Sequence, residues 1–239
     1  RALAAALKVT VHEALMRLRA PGDGPLAVAV LADRDPALQL TGRLQDAGFK
    51  TAVLTPDDMK REAAAWEIKR FGLAADGLHV ETAKGDSHVV PYPEVRLMLR
   101  GIGIVRSGAT ETEKTRSLSI GRAVLTGGIV LSRTTRTRRE VTDERREGFL
   151  NVYASDGSVF VFRESVLAYY SLGPELKPSR AANFAFLVSE VRRRCPGGLY
   201  DERLLGRAGQ AALLGPTLAP EEHLDLASAL LARVLLGRA

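Results

Sequence analysis

Apolar positions recur at helical spacing over the first eighteen residues and again over residues 35–47, then switch to period two from Trp66 onward. Leu3, Leu7 and the alanines around them predict a short helix. Thr10 opens a second, because Thr10 and Glu13 stand at capping-box spacing, where each side chain can satisfy a terminal backbone amide. In that helix Val11, Ala14, Leu15 and Leu18 share a face. The run from Pro21 to Pro25 (Pro, Gly, Asp, Gly, Pro) is a loop by composition. Leu26 to Ala32 is continuously apolar and reads as a buried strand. Asp35 and Pro36 start a third helix with Leu40, Leu44 and Ala47 on one side and Gly48 as its C-terminal stop. Thr51 to Leu54 reads as a second strand. Residues 1–55 are thus expected as a helix, helix, strand, helix, strand module.

Pro56 to Lys60 begins a polar connector, residues 56–65, that leads into a helix through Trp66. Strands are expected beyond it. Trp66, Ile68 and Arg70 alternate against Glu67, Lys69 and Phe71, and Leu78, Val80 and Thr82 against His79 and Glu81. Lys84, Gly85 and Asp86 supply a hairpin turn before Val89 and Val90. Val95 to Val105 reads as a strand after Pro93. Gly148 to Ala154 and Ser158 to Glu164 form the clearest hairpin, closed by Ser155, Asp156 and Gly157. Ser179 opens a helix whose Phe184, Leu187, Val188 and Val191 are spaced for one buried face, ending at Cys195, Pro196 and Gly197. The fold class expected is α+β: the small first module, then a mainly antiparallel β domain over 66–198 with a closing C-terminal helix. An arm at 107–147 is inserted into that domain, with Gly127 and Gly128 as a bend between two apolar pieces. Residues 199–239 are expected as a helical extension, its main helix spanning Pro220 to Leu236 with Leu224, Ala227, Leu231, Val234 and Leu235 as its stripe.

The order of residues 1–55, with Glu13 and Ala14 ahead of Leu18 and then Leu40, Leu44, Ala47 and Gly48, resembles the C-terminal domain of the bacterial ribosomal stalk protein. The resemblance implies a fold. That family's exposed basic residues on the second helix, which contact translation factors, are not reproduced, since only Arg17 and Arg19 lie nearby. Leu31 to Asp35 also looks like the opening of a response-regulator receiver, where paired acids close the first strand. Alternation of helix and parallel strand does not continue after Leu54, which sets a working receiver aside. Asp76 to Met98 resembles the first strands of bacterial pleckstrin-homology-like domains, and that family would imply a curved sheet closed by a C-terminal helix over residues 66–195.

Composition changes this picture in three places. The 239 residues are 46% apolar and 26% charged, which suits globular structure rather than disorder. The longest apolar candidate for a membrane span, Leu224 to Leu236, is broken by Asp225, Ser228 and Arg233. Cys195 is the single cysteine, so no internal disulfide and no cysteine-rich zinc site is expected, and a reducing, cytoplasmic setting is. An opening Arg1 in place of Met reads as a fragment or processed form. The net charge is +6, and residues 100–147 carry eleven basic and six acidic residues, so nearly all of the excess is local.

Candidate chemistry is sparse. His12, His79, His88 and His223 are scattered. His79 and His88 could face one another across a hairpin and share a metal, but no third ligand accompanies them, and solvent-side strand residues are expected. Cys195 follows Arg192, Arg193 and Arg194, whose charges would lower a thiol pKa, while the helix C-terminus would raise it; a structural cysteine is expected. The nucleophile-elbow, Walker and dinucleotide patterns are absent. The candidate binding residues are Arg133, Arg136, Arg138 and Arg139, interleaved with Ser132, Thr134, Thr135 and Thr137. As a strand they would put Arg136 and Arg138 on one face and Arg133 and Arg139 on the other, able to hold phosphates in bidentate fashion. Glu140, Asp143, Glu144 and Glu147 follow at once, as in a solvated strand edge. A solvated arm, an acidic protein partner, and nucleic acid or anionic lipid all remain open for 133–146. Leu118 to Leu131 is expected to pack on the second domain or another subunit. The function expected is a non-enzymatic protein–protein interaction or regulatory scaffold of bacterial, cytoplasmic type, with no cofactor and no metal, joined to a protein partner or to itself. Binding of nucleic acid or anionic lipid is the alternative, and an enzyme whose site is not visible as a motif is the third.

Overall fold

The computed structural model describes residues 1–18, 25–55, 65–117, 133–215, 218–220 and 222–237, with side chains at all of these except 17, 105–117 and 133–144. The expected loop after Ala20, most of the connector and the Leu118–Leu131 segment with its Gly127–Gly128 bend therefore lie outside the described residues. The fold is α+β. Its centre is a seven-stranded mixed sheet: β1 (Trp66–Leu73), β2 (Leu78–Thr82), β3 (Ser87–Val90), β4 (Val95–Ser117), β5 (Arg133–Ala154), β6 (Val159–Arg163) and β7 (Leu199–Leu204), in the order β3-β2-β1-β6-β5-β4-β7. The hairpins are antiparallel, while β1/β6 and β4/β7 are parallel. The chain divides into two compact units, residues 1–103 with 147–239 and residues 104–146. In the second unit the described backbone is the 104–117 part of β4 and the 133–146 part of β5.

Pleating sends successive side chains to opposite faces, and here both faces are covered. Leu150, Val152, Phe160 and Phe162 enter one core, which α4 (Arg180–Arg194) joins through Phe184, Leu187, Val188 and Val191. Phe149, Tyr153 and Val159, one residue out of step, enter a second core with Leu213 of α5 (Arg207–Leu214) and Ala227 and Leu231 of α6 (Leu224–Leu235). This explains the near-continuous apolar run Leu97, Met98, Leu99 in β4, where neither face meets solvent. The Ser179 hydroxyl accepts from the Ala182 amide at 3.1 Å and fixes the start of α4. Gly157 and Gly85, at φ +90° and +93°, close the two hairpins as their turns require.

Four local expectations are corrected. Trp66 opens β1 rather than ending a helix. Strict alternation along β1 fails because the ladder slips between Ile68, opposite Thr82, and Arg70, opposite Glu81; this bulge returns Phe71 to the core beside Ile68. The 199–239 extension begins with a strand, β7, and then α5, neither of which shows a long apolar pattern of its own. The last helix starts at Leu224 and not Pro220, because the Glu222 and His223 amides both turn back to the Ala219 carbonyl at 3.1 Å.

The N-terminal module has its three helices, α1 (Ala2–Leu7), α2 (Val11–Leu18) and α3 (Arg34–Asp46). Its caps follow the sequence closely. The Glu13 carboxylate accepts from the Thr10 amide and hydroxyl, each at 2.8 Å, and the Glu13 amide donates back to the Thr10 hydroxyl at 3.2 Å. After α3, Gly48 at φ +84° lets its own amide reach the Gln45 carbonyl and the Phe49 amide reach Leu44, both at 2.9 Å. The two expected strands differ: residues 25–31 and 49–55 carry no regular secondary structure. The Ala27 amide bonds instead to the Leu213 carbonyl at 2.7 Å, so the first stretch is tied to the C-terminal helices rather than to a ladder. Among the described residues no helix is long and apolar enough to cross a membrane.

Candidate functional site

The most distinctive surface lies in the N-terminal module. Helix α1 stops because Lys8 adopts φ +56°, which sends the Val9 amide back to the Ala4 carbonyl at 3.0 Å. A left-handed lysine is disfavoured by contact of its Cβ with the backbone, so the turn is held by its hydrogen bonds and by Val9, which packs on Leu3, Leu40 and their neighbours. The turn sets Leu7, Lys8 and Val9 beside α3. That helix contributes Pro36, Leu40 and Arg43, spaced i, i+4, i+7 and therefore on one face. The extended stretch Val28 to Leu31 forms a third wall. Together these enclose a hollow of about 410 Å³.

Nine of the eleven lining residues are apolar, and the other two are the cations Lys8 and Arg43. Both cations are exposed, and neither has an ion-pair partner among the described residues. Val30 is 67% exposed and Leu31 44%, so the apolar wall is open to solvent rather than sealed. Apolar contact, shape and positive charge are what the described lining offers a ligand. Nearby, α2 presents a second uncovered surface. Of the face expected from Val11, Ala14, Leu15 and Leu18, only Ala14 is buried; the other three and Met16 are each about half exposed.

The sequence-derived candidates fare differently. Arg133, Arg136, Arg138 and Arg139 fall in β5, with side chains outside the described residues. Glu147 leaves the group of solvated charges. It is 6% exposed, accepts from the Ser165 amide at 2.9 Å and from the Ser165 hydroxyl, and lies 3.9 Å from Arg163. It is a satisfied buried carboxylate that ties β5 to the turn after β6.

His79 and His88 do not converge. The register pairs His79 with Val89 and His88 with Val80, which puts the two rings on opposite faces. His79 Nε2 meets Asp76 Oδ1 at 2.9 Å, a hydrogen bond that holds the Asp76 carboxyl below its usual range. His88 stacks on Phe160 at 5.4 Å. No group of three or more metal-ligating side chains is brought together among the described residues.

Cys195 is 1% exposed, and burial pushes its thiol up to about 11. The three arginines beside it in sequence are occupied elsewhere. Arg192 lies over the Tyr200 ring at 4.2 Å, Arg193 pairs with Glu190 at 2.7 Å, and Arg194 donates to the Ala74 carbonyl at 3.1 Å. Desolvation therefore wins over charge, and the thiol is a core group.

The hollow was not legible in the sequence. Its one local signal was the helical spacing of Pro36, Leu40 and Arg43, which reads equally as core. No family model, no curated protein and no solved structure matches the chain.

Proposed function

We propose that this chain is a non-catalytic interaction protein, regulatory or scaffolding in role, that seats a protein partner on its N-terminal helical module. The observation that carries this reading is the open apolar hollow between α1, residues 28–31 and α3, with Val30 and Leu31 left in solvent. Apolar side chains left open to solvent along a groove supply contacts on which a partner can dock. The likeness of residues 1–55 to the stalk module is kept as a proposal about fold, with no ribosomal role attached. The pleckstrin-homology-like reading of 66–195 draws support from two runs of sequential strands meeting at the parallel β1/β6 pair and followed by α4. The single buried thiol suits a reducing, cytoplasmic setting. A pull-down with the full chain and with Val30→Asp tests the docking reading. A protein, or a second copy of the chain, retained by the wild type and lost by Val30→Asp supports it; identical profiles from both argue against it.

One further observation favours a second reading. Residues 104–146 carry ten basic and five acidic residues on a unit whose described backbone is all strand. Such a unit can bind nucleic acid or an anionic lipid surface by neutralising phosphates. Binding to a DNA duplex or to phosphatidylserine vesicles would then fall steeply with added salt and be lost in the Arg136→Glu/Arg138→Glu variant. Salt-insensitive binding, or full binding by that variant, would remove this reading.

A further inference from the structure

We infer that the hollow receives the apolar face of an acidic amphipathic helix from a partner protein, with Lys8 and Arg43 meeting carboxylates at its rim. This rests on the docking reading above and names the chemistry of its partner. Three observations on the same few residues lead there. First, the volume of about 410 Å³ falls within the range of binding pockets, roughly 300–1,000 Å³, yet the exposure of Val30 and Leu31 leaves one side open. A small free ligand needs most of its surface enclosed, whereas a helix brings its own second wall.

Second, the floor is aliphatic and is built partly on α3 at i, i+4 spacing by Pro36 and Leu40. Grooves of this kind take a helix through anchors at i, i+3, i+4 and i+7. Third, among the described residues the charged side chains that line the hollow are two cations, Lys8 and Arg43, with no ion-pair partner there, and no described carboxylate lines it. A neutral or basic helix would strip water from Lys8 and Arg43 and return nothing. An acidic helix replaces that water with charge-assisted hydrogen bonds. Asp33 and Asp35 stand at the opposite end of α3 from Arg43 and are not lining residues, although Asp35 adjoins Pro36.

Fluorescence anisotropy of the full chain with two labelled synthetic peptides tests this. One is an amphipathic helix with leucines at helical spacing and glutamates elsewhere; the other carries lysines in place of the glutamates. The acidic peptide is expected to bind and the lysine peptide not. Lys8→Gly and Arg43→Gln should each weaken binding about two- to fivefold, as partly exposed ion pairs do. Val30→Asp should abolish it. Lys8→Gly is a safe variant for folding, because glycine suits the φ of +56° at that position. Equal binding of both peptides, or undiminished binding of the acidic peptide by Lys8→Gly/Arg43→Gln, overturns the inference. If Val30→Asp alone abolishes binding in that case, the docking reading stands without the charge assignment. If neither peptide binds, the inference fails, and the pull-down decides the docking reading separately.

Discussion

The sheet and the N-terminal module use their apolar residues in opposite ways. In the sheet, Ile68, Leu78, Leu97, Leu99, Leu150, Phe160 and Phe162 are wholly inaccessible, because helices cover both faces. In the module a small core of Leu3, Ala4, Ala6, Ala14, Leu40 and Leu44 is closed, while Val11, Leu15, Leu18, Val30, Leu31 and Leu38 stay at the surface. The local rules are obeyed equally well in both: the Thr10–Glu13 capping box is as well formed as the Ser179 cap. The difference is therefore not one of poor folding signals. One region seals its apolar surface inside the chain, and the other leaves part of it open to solvent.

That contrast can be broken, beginning with its largest effect. Phe160→Ala should cost about 3–5 kcal/mol in urea denaturation, because a ring with no exposure leaves a cavity that close neighbours cannot fill. Leu44→Ala in the module should cost near 2 kcal/mol, the low end for such truncations, since α3 borders an open hollow and can relax. An equal or greater cost at Leu44 would mean that the module is as sealed as the sheet.

A smaller effect is expected from pH. The Cys195 thiol stays protonated in the native core up to about 11, against an unperturbed 9.0. Between those values the unfolded chain holds fewer protons than the folded one, so rising pH favours unfolding. The stability from the neutral buried thiol is intact below about pH 9 and lost as pH rises to about 11. The urea midpoint of the wild type should therefore fall relative to that of Cys195→Ala across this window. Parallel pH curves would show that the thiol is not held in the core.

The smallest effect is the sharpest for function. Val30→Asp should change stability by no more than about 0.5 kcal/mol, as for an ordinary surface substitution. A large loss would place Val30 in a structural role and remove the strongest variant in the docking argument.

What the sequence disclosed divides along the same physical line. Features set by neighbours in the chain were readable: the Thr10–Glu13 box, the Gly48 stop, the turns at Gly85 and Gly157, and the buried stripe Phe184, Leu187, Val188, Val191. Features set by distant pairing were not. The bulge that turns Phe71 inward depends on the register of β2, and β7 becomes a strand only because β4 offers it a parallel edge. Leu26 to Ala32 has the composition of a buried strand, yet composition does not supply a ladder partner, and Val30 and Leu31 end in solvent. The cations beside Cys195 in sequence were drawn to Tyr200, Glu190 and Ala74 by contacts that no spacing reveals. The hollow belongs to the same class, since its walls come from three separate stretches of chain.

The account stands most directly on whether the surface around Val30 is covered in the cell. A photo-crosslinking amino acid placed at position 30 of the full chain reads this out, with the same residue at the exposed Lys84 turn as control. The account predicts a discrete protein adduct at position 30, absent at position 84 and suppressed by an excess of the acidic amphipathic peptide. No adduct at position 30 beyond that at position 84 would contradict it.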